Sequence, residues 1–337
     1  MAPGWRDKRT MEPSAPLPIV PDYKDRRGGL IAFGIVVILT GCVCALFVPM
    51  MFLGQIVSAH KTTRGPDFRS LVPAVVMYAG LAVAFVWLGI GSIQARRWAR
   101  ALLLILAWCW LVTGLITLAA MAVFIPKVFA QAQLSSPTAM PANALMVAMI
   151  VIVVLLSLFF ILLPGGLVLF YRSRNVKATC EVRDPVPRWT DACPLPVLAM
   201  SLMLALGAVM ILFMPVCYNG VVPFFGRLLS GWMGSTLCVL MVALWSYCAW
   251  AMYRLNPLGW ALTVAGLGLM AGSASITFAQ VDLIEMYRLM NYSEEQIRLI
   301  QHTGITNSPA MRILMIAGWV PMFGFLLYVK KFFRRVS

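Results

Sequence analysis

Eight apolar runs, each long enough to cross a bilayer, constrain this chain more than any other feature of its sequence. A transmembrane helix needs about 20 mostly apolar residues to cross about 30 Å of hydrocarbon. Such runs predict spans at about 30–54, 71–94, 99–125, 145–171, 196–217, 231–253, 257–280 and 312–329. Because 61% of the residues are hydrophobic and only 12% are charged, a water-soluble fold is excluded. We therefore predict an all-α integral membrane protein with eight transmembrane helices, whose first partner is the lipid bilayer.

The net charge of +15 orients the chain in the membrane. Of the 27 Lys and Arg residues, 19 fall in segments on the same side as the amino terminus and eight fall on the other side. This asymmetry follows the positive-inside rule and predicts that both termini are cytoplasmic. We expect no nucleic-acid binding, since orientation accounts for the basic residues.

The chain divides into four predicted segments. Residues 1–27 are rich in proline and mixed charges, a composition that cannot build a core, and we expect a disordered cytoplasmic tail. The other predicted segments are a first four-helix repeat (28–172), a cytoplasmic linker (173–195) and a second four-helix repeat (196–337).

The evidence for a repeat is a set of landmarks in the same order in both halves. Gly41–Pro49 and Gly207–Pro215 share five of nine residues at a constant offset. The turn after span two carries Trp98-Ala99, and the turn after span six carries Trp260-Ala261. Spans four and eight each hold a proline, Pro164 and Pro321. An even number of spans per copy predicts two parallel repeats, related by a pseudo-two-fold axis along the membrane normal.

The predicted spans contain no ionisable centre. All twelve acids lie outside the spans or at their ends, and the only histidines, His60 and His302, lie in predicted loops. Intramembrane charges mark proton relays and ion pathways when they occur. Haem held by two intramembrane histidines is therefore excluded, and proton coupling through a buried carboxylate is disfavoured. No catalytic signature is found, and we predict no cofactor, metal or catalytic residue.

Two prolines at matching positions are the first candidate site. Gly41, Pro49, Gly207 and Pro215 fall at corresponding places in spans one and five, where broken helices would form a transporter's binding site. The alternative is an ordinary kink near a helix end, which membrane helices tolerate.

The linker is the second candidate site, through Cys180, Glu181 and Cys193. Three prolines within 173–195, a fourth directly after it at Pro196, and interleaved charges indicate a rigid extended strap on the cytoplasmic interface. A metal would need two further ligands, which the segment does not offer. From 171 to 215 the sequence resembles bacterial multi-pass inner-membrane proteins of unassigned function, and this resemblance implies an inner-membrane location only.

The outward segment 281–311 is a candidate surface for protein partners. Ser293-Glu294-Glu295-Gln296 matches a helix capping box, followed by Ile297 and Ile300 on one face. The spacing predicts a short interfacial helix.

Three functions remain open at this point. The favoured one is a non-catalytic scaffold, assembly factor or accessory subunit, because the membrane part offers no charged or metal-binding group. The second is a carrier for a neutral or lipophilic substrate at the repeat interface. The third is a membrane enzyme that uses Cys180 and Cys193 in the linker.

Overall fold

The computed structural model describes residues 23–61, 71–135, 142–302, 313–314 and 316–333. Within these ranges, seven helices are long and apolar enough to cross a membrane: Arg27–Val57, Val72–Ile93, Arg97–Ala122, Met146–Arg172, Leu195–Cys217, Gly231–Tyr253 and Pro257–Gln280. At most a third of each apolar window is buried inside the protein, so most of its surface faces outward. The prediction of a multi-pass helical protein is confirmed.

The helices and strands have these bounds. The first group is α1 (Arg27–Lys61), α2 (Val72–Ile93), α3 (Arg97–Ser135), α4 (Ala142–Ser157), a π-helical turn (Leu158–Leu162) and α5 (Leu163–Arg172). Between this group and the next lie α6 (Arg174–Arg183) and a 3₁₀ turn (Trp189–Asp191). The second group is α7 (Leu195–Leu212), α8 (Met214–Cys217), β1 (Val222–Phe224), β2 (Arg227–Leu229), α9 (Gly231–Tyr253), α10 (Pro257–Gln280), α11 (Leu283–Leu289), α12 (Glu294–His302) and α13 (Trp319–Phe333).

The predicted eighth span, 312–329, is described only in part. Its described helix, α13, has 15 residues, or about 22 Å at 1.5 Å per residue. This length alone does not cross the hydrocarbon. α13 still packs on α7 and α10, and Leu326, Val329 and Phe333 are buried in the core that these helices share.

Two helix pairs are packed especially closely, and small residues explain why. α1 crosses α2 where Gly34 meets Gly89, and a Cβ on Gly89 would lie 2.8 Å from the Gly34 carbonyl oxygen. In the second half, α7 crosses α9 where the Ser201 hydroxyl donates a hydrogen bond of 2.7 Å to the Ala249 carbonyl. Small residues let membrane helices approach this closely, since lipid provides no hydrophobic drive for association.

The turns after α2 and α9 have the same construction. Ala95 (φ 55°) and Leu255 (φ 57°) each occupy the left-handed region. The next amide closes each turn, from Arg96 to the Gly91 carbonyl and from Asn256 to the Ala251 carbonyl, both at 2.9 Å. This pattern is a Schellman-type helix end. The two turns are 160 residues apart, and each starts its next helix two residues after the left-handed residue.

The offset of 160 residues between the two turns means that one pair of sequence landmarks, Trp98 and Trp260, does not occupy equivalent positions. Gly91 packs on Ala99 in the first turn, and Gly259 packs on Ala251 in the second, so Ala99 corresponds to Gly259. Trp98 and Trp260, which the sequence pairs at an offset of 162, therefore differ by two helical positions, or about 200° around the axis. Their contacts differ accordingly. Trp98 stacks on Trp87 at 4.3 Å, whereas the Trp260 ring nitrogen donates to the Leu326 carbonyl at 3.0 Å.

The membrane-spanning run before α6 contains a local distortion. Pro164 is the second residue of α5, which follows the π-helical turn, and proline cannot donate to the carbonyl one turn earlier, that of Phe160. This carbonyl lies against Gly114 of α3, where an added Cβ would overlap it. Trp110 packs edge-on against Phe159 at 4.9 Å. The glycine therefore makes room for the distorted turn.

Among the described residues, the buried side chains form three clusters. One lies within α1–α6 and includes Leu30, Val37 and Tyr171. A second lies among α7, α9, α10 and α13. A third joins the two groups, where Ile105 of α3 meets Cys193 and Leu198.

The two ends of the bundle carry different structures. We call the end with Arg26, the Ala95 turn and residues 173–195 the linker end. We call the end with the β1–β2 hairpin, α11 and α12 the hairpin end.

Candidate functional site at the linker end

The linker folds as a helix followed by a 3₁₀ turn. The extended backbone of Ser173 (ψ 137°) ends α5 and redirects the chain into α6. Val176, Thr179 and Cys180 are buried, and their spacing of three and four residues places them on one face. α6 packs with this face on α1, α3 and α5. The prediction of an extended strap is wrong for Arg174–Arg183, because this buried helical face outweighs the extended bias of the prolines that follow.

The linker is fastened to the start of α1. The Thr179 hydroxyl accepts a hydrogen bond from the Arg26 amide at 3.2 Å and donates to the Asn175 carbonyl at 2.8 Å. Arg183 pairs with Asp25 at 3.2 Å. The last residues of the predicted disordered tail therefore contact the linker, while residues 1–22 lie outside the described part of the chain.

Asp184 is the most buried acid of this end, with 3% of its side chain exposed. Its Oδ2 accepts from the Arg97 amide at 3.3 Å, which caps the start of α3. Its Oδ1 pairs with Arg188 at 3.3 Å and with Arg96 at 3.9 Å. A carboxylate at a helix amino terminus satisfies a free amide and complements the helix dipole. Asp184 therefore joins α3 to the linker.

Arg97 joins the same two elements from the other side. Its Nε lies 3.4 Å from Asp191, and its Nη2 lies 3.8 Å from Glu181. Glu181 also pairs with Lys177 at 3.7 Å, and Asp191 accepts from the Arg188 amide at 2.9 Å. We call Asp25, Arg96, Arg97, Lys177, Glu181, Arg183, Asp184, Arg188 and Asp191 the linker ion cluster. The acids of this cluster act as structural fasteners.

The two linker cysteines occupy different environments. Cys180 lies in the core of the first helix group, and Cys193 lies in the cluster that joins the two groups. Burial raises the pKa of both thiols from 9.0 to about 11. Since the thiolate is the reactive form of cysteine, both thiols are protonated and weakly nucleophilic at neutral pH. The structure does not combine Cys180, Glu181 and Cys193 into a reactive group.

The glycine and proline candidates behave differently in the two halves. Gly41 packs on α2, where an added Cβ would lie 3.0 Å from the Ala82 carbonyl oxygen, whereas an added Cβ on Gly207 would meet no atom within 4 Å. Pro49 lies inside the continuous helix α1, whereas Pro215 is the second residue of α8, which follows a break at Phe213. The matching prolines therefore do not produce matching breaks.

Hydroxyl groups within the spans bond to the protein itself. Ser92 donates to the Leu30 carbonyl at 3.0 Å and lies 2.6 Å from the Tyr171 hydroxyl. Thr263 donates to the Gly259 carbonyl at 2.7 Å. The Ser92 contacts join α2 to α1 and α5, whereas the Thr263 bond lies within α10.

Sequence reasoning missed the hairpin at the other end. Phe225 (φ 40°) and Gly226 (φ 88°) form its turn, and two positive φ values are typical of tight two-residue hairpins. The Phe225 amide donates to the Ser273 hydroxyl at 2.9 Å, and the Gly226 amide donates to the Thr277 hydroxyl at 3.0 Å. Because α10 supplies the acceptors, the hairpin lies against α10. Gly226 is the one residue in the turn that favours a hairpin locally. The flanking strands have three residues each, which is too short to show an alternating pattern in the sequence.

The segment from 283 to 302 contains α11 and α12. Ser293 and Gln296 make both reciprocal bonds of the predicted capping box, at 3.0 and 3.3 Å, and Ile297 is buried. Tyr292 lies parallel to Tyr218 with ring centres 6.4 Å apart. This contact ties the segment to the end of α8. Residues 303–311 lie outside the described part.

Within the described ranges, no group of three or more His, Cys, Asp or Glu side chains could hold a metal ion. No protein-family model matches the chain, and neither a curated protein nor a solved structure is significantly similar to it.

Proposed function

We propose that this chain is a non-catalytic membrane protein that serves as a scaffold, assembly factor or accessory subunit. The observation that carries the proposal is the linker ion cluster. Its acids cap α3 and pair with basic residues of α3 and the linker, which leaves them no evident catalytic role. The protonated, buried thiols support the same conclusion.

The architecture that we propose is a duplicated four-helix unit with eight spans. Equal turns at Ala95 and Leu255 support it. A further support is that buried residues recur at constant offsets in six pairs. These pairs are Phe85 and Trp245, Leu88 and Cys248, and Gly89 and Ala249 at an offset of 160, and Leu30 and Val197, Gly34 and Ser201, and Val37 and Leu204 at an offset of 167.

The offset of 167 for α1 and α7 differs by one from the offset of 166 that relates Gly41 to Gly207. One residue corresponds to about 100° around a helix. The buried counterpart of Gly41 is then Ala208, which is 3% exposed. This difference explains why Gly41 is closely packed while Gly207 is not, and it removes support from a carrier site built on matching glycines and prolines.

The orientation that we propose places the linker end in the cytoplasm of a bacterium and both termini on that side. The clustering of basic residues at this end supports it through the positive-inside rule. The hairpin end, with α11 and α12, would then face outward and present the surface for a protein partner.

Extraction from the native membrane in a mild detergent, followed by mass spectrometry of co-purifying molecules, tests the function. A protein partner at fixed stoichiometry is the expected result. A protein that purifies alone with a bound lipid or small molecule would instead favour the carrier and contradict the scaffold.

A matched variant tests the remaining alternative. Cys180→Ala combined with Cys193→Ala should co-purify with the same partner at the same stoichiometry, because neither thiol faces a surface. A linker enzyme predicts that this variant loses the cellular phenotype of the wild-type gene while it still folds and inserts. Normal insertion is checked by the yield of monodisperse protein.

A further inference from the structure

One face of α3 is covered by the second helix group. Ala101 and Ile105 are 7% and 8% exposed, and Cys109 follows on the same face one turn later. Ile105 and Cys109 meet Leu198, Ala199 and Leu202 of α7 in the cluster that joins the two groups. The contact is apolar and joins unlike surfaces, since α3 of one group packs on α7 of the other.

The counterpart of the α3 face lies uncovered on α10. At the offset of 160 residues, Ala101, Ile105 and Cys109 correspond to Ala261, Ala265 and Leu269. Ala261 and Ala265 are exposed, and 64% of Leu269 is exposed.

The counterpart of the α7 face is also largely uncovered, on α1. At the offset of 167 residues, Leu198, Ala199 and Leu202 correspond to Ile31, Ala32 and Ile35. Leu198 is 1% exposed, whereas Ile31 is half-buried, Ala32 is exposed and 47% of Ile35 is exposed. The chain therefore contains one contact between complementary faces, on α3 and α7. The counterparts of these two faces, on α10 and α1, have no partner within the described part of the chain.

We propose that a second copy of this chain covers these faces, with α1 of one molecule packed on α10 of the other. The proposal rests on the duplication proposed above. When two different surfaces form the contact between the two halves of one chain, one surface of each kind is left without a partner. A second copy of the chain can bind both of these free surfaces, and the assembly is then closed and symmetric. Neither face carries a charged residue, and the alanines of α10 allow close approach in lipid. The contact within one chain is the template for the contact between two.

Cysteine cross-linking in native membranes tests this proposal. Two differently tagged chains, one with Ala265→Cys and one with Ile31→Cys, are co-expressed with the exposed Cys42 replaced by Ser in both. We expect oxidation to give a mixed-tag dimer at least tenfold above a control pair in which Leu240→Cys replaces Ala265→Cys. Leu240 is also highly exposed, at 62%, but lies on α9, outside the proposed contact.

Two results would overturn the proposal. One is a mixed-tag yield no higher than that of the control pair. The other is cross-linking of the Ala265→Cys chain with itself instead of with the Ile31→Cys chain, because the proposed contact joins unlike faces.

A separate measurement keeps the template contact distinct from self-association. A single chain with Ile105→Cys and Leu198→Cys, and with the native Cys109 and Cys193 of the same cluster replaced by Ala, should form an internal cross-link, which verifies the template contact. If that internal link forms and the mixed-tag dimer does not, self-association is rejected while the template contact stands. If neither forms, the template itself is rejected and the proposal fails with it.

Discussion

At the scale of single residues, the closest helix crossing depends on glycine. Gly34 and Gly89 bring the backbones of α1 and α2 together, and a Cβ on either would approach the carbonyl oxygen of the other within 2.9 Å. Backbone cannot move aside as a flexible side chain can. The crossing therefore tolerates no larger residue without separating the two helices.

We expect Gly89→Ala to lower the free energy of unfolding by about 1 to 3 kcal/mol, the usual range for overpacking a close-packed site. Thermal unfolding in detergent, followed by circular dichroism, measures the loss. Gly207→Ala is the matched control, since it lies in an apolar helix where an added Cβ meets nothing within 4 Å. Equal losses in both variants would contradict this account of the crossing.

The buried thiols predict a specific alkaline sensitivity. The pKa of Cys180 and of Cys193 is about 11 in the folded chain, against an ordinary 9.0. The folded state therefore holds these protons more tightly, and stability falls as pH rises from about 9 to about 11. One pKa unit corresponds to about 1.4 kcal/mol, so we expect a loss on the order of 2 kcal/mol per thiol.

Melting temperatures of the wild type and of the Cys180→Ala, Cys193→Ala variant, measured from pH 8 to pH 11, isolate this effect. Other groups titrate in the same window in both proteins, so the difference between the two curves is the informative quantity. The wild type should lose more stability than the variant. Parallel curves would show that the two thiols ionise normally in the folded protein.

At the scale of elements, the linker helix and α3 are joined through one buried acid. Asp184→Asn removes the charge that pairs with Arg96 and Arg188 while it preserves the shape of the side chain. Hydrogen bonds to charged groups contribute about 1.5 to 3 kcal/mol, and we expect a loss of about 2 kcal/mol in thermal unfolding. Asp25→Asn, which removes an exposed pair, should cost less than about 1 kcal/mol. The reverse order of losses would refute the role of Asp184.

The hairpin is held to α10 by two hydroxyl groups. Thr277→Val removes the acceptor of the Gly226 amide with little change in shape, so this amide should exchange faster with deuterium, by about fivefold for roughly 1 kcal/mol. Thr236→Val is the control, because its hydroxyl bonds only within its own helix, to the Trp232 carbonyl. Hydrogen-exchange mass spectrometry of the peptide containing 222–229 provides the readout. Unchanged exchange would mean that the hairpin is held by other contacts.

Span positions and the capping box could be predicted, because each depends on a local pattern. Apolar runs of more than 20 residues marked seven described helices that are long and apolar enough to cross a membrane, and Ser293 and Gln296 indicated the start of α12 within one residue. The helix α6 could not be predicted, because its buried face is defined by α1, α3 and α5. The cap of α3 by Asp184 was also inaccessible, since nothing local connects residues 87 positions apart.

The candidate sites were less predictable than the fold. Pro49 and Pro215 match in sequence, but the former lies inside a continuous helix and the latter follows a break. A proline's effect depends on what surrounds the freed carbonyl, which sequence alone does not contain. The linker thiols likewise depended on burial, which only the packed structure reveals.

At the scale of the whole molecule, the two ends of the bundle should lie on opposite sides of the membrane. In a Cys42→Ser background, a membrane-impermeant maleimide should label Asn291→Cys in intact cells and Pro187→Cys only after permeabilisation. Both positions are exposed, so accessibility is matched. The basic residues of the linker end give the physical reason. The opposite labelling would reverse the proposed orientation.

The cap of α3 by Asp184 has a consequence for biosynthesis. A ribosome makes α3 before it makes the linker, so the Arg97 amide cannot bond to Asp184 until 87 further residues have been synthesised. During this interval, α1 and α2 can already pair through Gly34 and Gly89, while the start of α3 stays unfastened. The emergence of the linker then completes the first half just before α7 arrives to pack on α3. The order of synthesis therefore predicts an order of assembly: α1 pairs with α2, the linker then binds the start of α3, and α7 packs on α3 last.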